Sequence, residues 1–112
     1  MYADADTIDR IFRALADSTR RRVVERLGRG AASVSELAEP FDMALPSFVQ
    51  HLRVLEDCGL VVSAKQGRVR SYQLAPKRLK AAEDWLSRQR ALWEKRLDQL
   101  DSYLLTLKDQ DR

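Results

Sequence analysis

A mainly α-helical fold carrying one small β-hairpin is what this sequence predicts, on three observations. Apolar residues recur at helical spacing through most of the 112 residues. One short segment, 60–74, alternates instead and carries a glycine at its tip, as two strands folded back on each other do. Beyond Pro76, leucines follow one another at coiled-coil-like intervals.

The elements follow in order. Asp6 can cap a first helix, in which Ile8, Ile11, Phe12, Leu15 and Ala16 form one apolar stripe. Asp17-Ser18-Thr19 interrupts it. A second helix then runs to about Leu27 with Val23, Val24 and Leu27 inward, and Gly28-Arg29-Gly30 ends it. Ser33 with Glu36 reads as a capping box for a third helix, with Val34, Leu37, Ala38 and Phe41 inward and Pro40 limiting it to about two turns. Asp42-Met43-Ala44 is short enough to be the turn of a helix-turn-helix.

A fourth helix is expected from Leu45, with Pro46 tolerated in its first turn and Leu45, Phe48, Leu52 and Leu55 on one face. Gly59 is its left-handed stop. Leu60–Ala64 and Val69–Leu74 read as strands around Gln66-Gly67. The last helix runs over about 76–108, roughly 50 Å if unbroken. It carries Trp93, Leu97, Leu100, Leu104 and Leu107 at 4-3-4-3 spacing, with Leu86 extending the phase. A small domain cannot cover so long a stripe alone. The expectation is one domain over 1–112 that dimerises through its first and last helices, burying Ile8, Ile11, Phe12, Leu86, Trp93, Leu97, Leu100 and Leu104.

Composition narrows the class. The chain is 45% hydrophobic and 33% charged, as a globular domain is. Its net charge of +3 and pI near 9.3 favour an anionic partner only mildly. The positive charge is concentrated in Thr19–Arg26 and Lys65–Arg70. Cys58 is the sole cysteine, which fits a reducing compartment. The start, MYADADTIDR, lacks an apolar signal core, and no apolar run reaches membrane-spanning length. A soluble, cytoplasmic protein with no membrane partner is expected.

Helix, turn, helix and basic hairpin together give the layout of a winged helix-turn-helix, a device for reading DNA. With Phe48 and Leu52 inward, Pro46, Ser47, Gln50 and Arg53 point away from the core, and Val49 lies on the flank. Gln can address adenine at two points, Val can touch a thymine methyl, and Arg suits phosphate or guanine. Arg68 and Arg70, alternating about Val69, would share one face of the second strand near Lys65 and suit phosphate or a minor groove. The ordinary reading of such a ribbon is an edge strand protected by charge. Of the run Arg20-Arg21-Arg22, Arg20 is assigned to phosphate; a solvated face with internal salt bridges is the competing account. His51 reads as a partly buried residue bonded to backbone or phosphate.

Catalysis finds no support, because no glycine-rich phosphate loop and no second His or Cys is present. His51 and Cys58, about 10 Å apart along a helix, cannot share one zinc. Cys58 reads as a small packing residue. No metal or cofactor is expected. A protein-docking module built on the same fold is the rival function.

FRALADSTRRRVVERL, SVSELAEPFDMALPSFVQHLRVLEDCGLV and GRVRSYQL, in that order, resemble the ArsR (arsenic-repressor-like) regulators over nearly the whole chain. The resemblance implies a homodimeric repressor that binds a palindromic operator in double-stranded DNA, often its own. It places Ser47, Val49, Gln50 and Arg53 in the major groove and Arg68 and Arg70 on the wing. It leaves room for an unidentified small-molecule effector. Two departures matter. The segment ELAEPF has no cysteine and the terminal helix no histidine, so the metal-sensing sites are not carried over and the chain resembles a branch lacking them. Ala44 stands where relatives place a capping serine, and Phe48 is bulkier than the usual aliphatic.

Overall fold

The computed structural model describes residues 3–110. The chain forms two compact units, divided between Ala82 and Glu83. The first holds all but the last part of the element order α1 (Ala5–Leu15), α2 (Ser18–Leu27), β1 (Ala32–Ser33), α3 (Val34–Ala38), α4 (Leu45–Asp57), β2 (Val61–Gln66), β3 (Val69–Leu74) and α5 (Pro76–Gln110).

Helix starts follow capping chemistry. Asp4, not Asp6, caps α1: its carboxylate accepts the Thr7 N–H at 2.8 Å. Asp6 lies inside the first turn and pairs with Arg10 at 3.1 Å, where a negative charge suits the helix dipole. Asp17 caps α2 through the Arg20 N–H at 3.0 Å. The capping box of α3 is complete, with Ser33 Oγ accepting from Glu36 N–H and Glu36 Oε1 accepting from Ser33 N–H. α4 begins at Ala44 with no side-chain cap, and Pro46 sits in its first turn.

α4 ends in a Schellman motif. The Gly59 N–H donates to Glu56 O and the Leu60 N–H to Leu55 O, with Gly59 at φ +82. β2 starts at Val61, just after Leu60 closes this motif, and runs two residues past the expected Ala64. β2 and β3 pair antiparallel from Val61↔Leu74 to Gln66↔Val69, so the tip is Gly67-Arg68 rather than Gln66-Gly67. Gly67 takes φ +64 at the first tip position, as a tight two-residue turn demands. A third strand, β1, adds to the two expected. It spans two residues and pairs with β3 at Ala32↔Tyr72 and Ser33↔Ser71, giving the order β1-β3-β2.

One core unites these elements. Ile11, Ala14, Val23, Leu27, Leu37, Phe48, Leu52, Leu55, Leu60, Val61, Tyr72 and Ala82 are all buried in it. Leu45 departs from its predicted face and is 55% exposed, because it lies in the first turn of α4, before the apolar stripe closes on the core. Ile11 has no exposed surface and Ile8 is nearly as buried. Both side chains are thus packed inside a single chain. Phe12 is half-buried against the core.

The second unit is the helical segment of α5 from Glu83 to Gln110. Leu86, Trp93, Leu97, Leu100, Leu104 and Leu107 are exposed along it, as are Leu92, Tyr103 and Leu105. No helix among the described residues is long and apolar enough to cross a membrane.

Candidate nucleic-acid interface

α4 splits cleanly by face. Phe48, Leu52 and Leu55 have no exposed surface. Pro46, Ser47, Gln50 and Arg53 are exposed, while Val49 and His51 are half-buried. Phe48 is stacked at 5.3 Å on Phe41 from the preceding turn. The bulk at Phe48 thus serves the junction of α3 with α4, and the helical periodicity that buries it leaves Ser47, Gln50 and Arg53 outward.

The arginine run is used inside the protein. Arg20 Nε donates to Ala14 O at 2.7 Å and Arg20 Nη2 to Arg13 O at 3.2 Å. Arg20 Nη1 lies 3.1 Å from His51 Nδ1. Arg21 donates to Leu15 O at 2.8 Å. Both arginines thus satisfy the carbonyls at the C-terminus of α1, the end of a helix that attracts positive charge. Arg22 lies over the Phe41 ring at 4.5 Å, a cation–π contact. Positive charge at the start of α2, which opposes that helix's own dipole, therefore serves the end of α1. Arg20, expected on phosphate, is turned inward. Asp17 completes the cluster, with Oδ1 3.8 Å from His51 Nδ1. The Arg20 N–H it accepts, with the Arg20 charge adding, holds its carboxyl below the usual range.

The hairpin stands beside α4. Lys65 lies directly opposite Arg70. Arg70 Nη1 donates to Ser63 Oγ at 2.8 Å, and that hydroxyl donates to Glu56 Oε1 at 2.7 Å. Arg70 is thereby tied to the last turn of α4. Arg68 sits at the tip and does not share a strand face with Arg70, because the turn falls one residue later than expected. Val34, Val49, Arg53, Glu56, Arg70 and Tyr72 line a groove of about 380 Å³ between helix and hairpin. Sequence reasoning missed Glu56 and Ser63. Neither carries a local signal, since their relation depends on how β2 folds back against α4.

Cys58 is half-buried, its Sγ donates to Leu55 O at 3.3 Å, and burial pushes its thiol pKa up. A thiol held protonated is a poor nucleophile and a poor metal ligand. No group of three or more His, Cys, Asp or Glu among the described residues could hold a metal ion.

The two-helix reading unit with its adjoining β-hairpin defines a winged helix-turn-helix, the class of DNA-binding transcriptional regulators. A family profile described as a helix-turn-helix domain matches residues 15–64. The chain is 45% identical over 80 residues to the HTH-type transcriptional regulator Rv2034 of Mycobacterium tuberculosis, covering 71% of this chain and 75% of that one. It is 27% identical over 79 residues to the transcriptional repressor SdpR of Bacillus subtilis, covering 70% of this chain and 88% of that one. Among solved structures, it is similar to the ArsR family transcriptional regulator RHA00566, with a TM-score of 0.79 and 52% identity over 84% of this chain and 97% of the other. The protein belongs to the ArsR family of winged helix-turn-helix regulators; it is a DNA-binding transcriptional regulator and not an enzyme.

Proposed function

We propose that the protein is a homodimeric repressor that binds a two-fold-symmetric operator, with Pro46, Ser47, Val49, Gln50 and Arg53 at base edges and backbone and with Lys65, Arg68 and Arg70 on phosphate. One observation carries this reading. The exposed face of α4 adjoins a hairpin on which Lys65 and Arg70 stand directly opposite each other. Like charges across a strand pair destabilise a hairpin, and a phosphate backbone offsets that cost. His51 is half-buried beside the face and bonded to Arg20.

The second copy is inferred from the exposed seam of Leu86, Trp93, Leu97, Leu100 and Leu104, and the half-buried Phe12 is assigned to the same interface. Two such reading helices would meet successive major grooves about 34–36 Å apart. The test is binding to DNA from the chain's own promoter region against random DNA at one salt concentration. Tighter binding to the promoter DNA is expected. Equal affinity for both would sink sequence specificity, and affinity for neither would make the winged helix a protein-docking surface.

A further inference from the structure

We propose that Arg20 is a positioning residue that holds the DNA-reading helix α4 to the C-terminus of α1 through His51. This rests on the reading of α4 as the helix that enters DNA. Three of the five N–H donors of Arg20 are committed. Nε and Nη2 reach Ala14 O and Arg13 O on α1, and Nη1 reaches His51 Nδ1 on α4. The guanidinium is planar, so these directions are fixed together. Its charge faces carbonyls that carry the negative end of the α1 dipole, which strengthens both bonds. Asp17 pins the Arg20 backbone from the other side at 3.0 Å.

The chemistry of the pair sets the state of His51. Arginine has no acceptor, so Nδ1 must accept and the ring proton must sit on Nε2. His51 follows Gln50 directly in α4, and a shift of its ring moves the turn that carries Gln50. The substitution Arg20→Lys keeps the charge but offers one compact ammonium, which cannot reach two carbonyls and an imidazole in this geometry. The arrangement therefore separates charge from position, and a phosphate contact would not.

The test uses the full chain with Arg20→Lys, Arg20→Ala, His51→Asn, His51→Gln and the control Arg22→Lys. Affinity for promoter DNA is measured over a salt series, and hydrogen exchange of α4 amides is measured in the free protein. Arg20→Lys and Arg20→Ala are expected to bind about tenfold more weakly, with an unchanged salt slope and about tenfold faster exchange in α4. His51→Asn places an acceptor where Nδ1 was and should stay within about twofold of the parent in both readouts. His51→Gln moves the amide to the Nε2 position and should behave like Arg20→Lys. His51 is the only histidine, so its ring signals also report the tautomer, expected with the proton on Nε2.

A salt slope flattened by about 0.9 in Arg20→Ala, an Arg20→Lys variant indistinguishable from the parent, or a proton on Nδ1 would each overturn the proposal. Should Arg20 variants fail to fold, the His51→Asn and His51→Gln variants decide it with Arg20 intact. Should the parent not distinguish promoter from random DNA, the reading of α4 as a sequence-specific helix fails, while α4 exchange still decides the role of Arg20.

Discussion

Ala44 opens the reading helix with a side chain that can accept nothing, so no N-cap side chain satisfies the free N–H groups at that end. Ala44→Ser should stabilise the protein by about 1 kcal/mol, raising the melting temperature by about 4–8 °C for a domain of this size. A thermal melt that does not move would show that the first turn is satisfied in some other way. On the outer face, Gln50→Ala should cost about 1–3 kcal/mol of discrimination between operator and variant sites if Gln50 spans one base. Arg68→Ala, at the hairpin tip, should weaken every site alike and reduce the salt slope by about 0.9. An unchanged preferred sequence in Gln50→Ala would misplace the reading face. Residues of this outer face were legible because helical period alone sorts them from Phe48 and Leu52. Arg20 was not. Its acceptors lie six residues back, on another helix, and thirty-one residues ahead, so no local pattern announces them.

Elements were legible where a stop or a cap is written into the chain. Gly59 is such a stop, at φ +82. A β-carbon there would also stand 2.8 Å from Arg78 Cγ. Gly59→Ala should cost about 1–2 kcal/mol for the left-handed backbone alone, and Arg78→Ala in the same chain should recover only the remainder, measured by denaturant unfolding. Full recovery would locate the whole cost in the clash. The hairpin shows the limit of the same approach. Alternation identified both strands but not their register, which pairs Val61 with Leu74 and puts the tip at Gly67-Arg68. Two-residue β1 is too short to have a period, and it exists only because β3 is there to receive it.

For the whole molecule, the heptad spacing of α5 was plain in the sequence, whereas the inward use of Ile8 and Ile11 was not, since an apolar stripe does not say which neighbour covers it. Leu97→Glu with Leu100→Glu should yield a monomer in sedimentation and abolish operator binding while leaving α4 untouched. A doubly substituted chain that stays dimeric would place the interface elsewhere. Acid should also unfold the protein through its caps. The carboxyls of Asp4, Asp17 and Glu36 are held below the usual range, each chiefly by an accepted backbone N–H. A carboxyl depressed in the folded state contributes stability that is present above its unfolded pKa and lost as pH falls through its folded pKa. Stability should therefore decline from about pH 4 downward. Asp17→Asn keeps a capping oxygen but no titrating charge, so it should melt nearly as the parent at about pH 7 and lose less on going to about pH 3. An identical acid loss would remove Asp17 from the account.

Ser33 belongs at once to a strand and to a helix. It pairs with Ser71 in the sheet, and its hydroxyl caps α3. Any fluctuation that peels the wing from the body must therefore also fray the first helix of the DNA-reading pair. The cost of ordering the base of the wing is accordingly met when the chain folds.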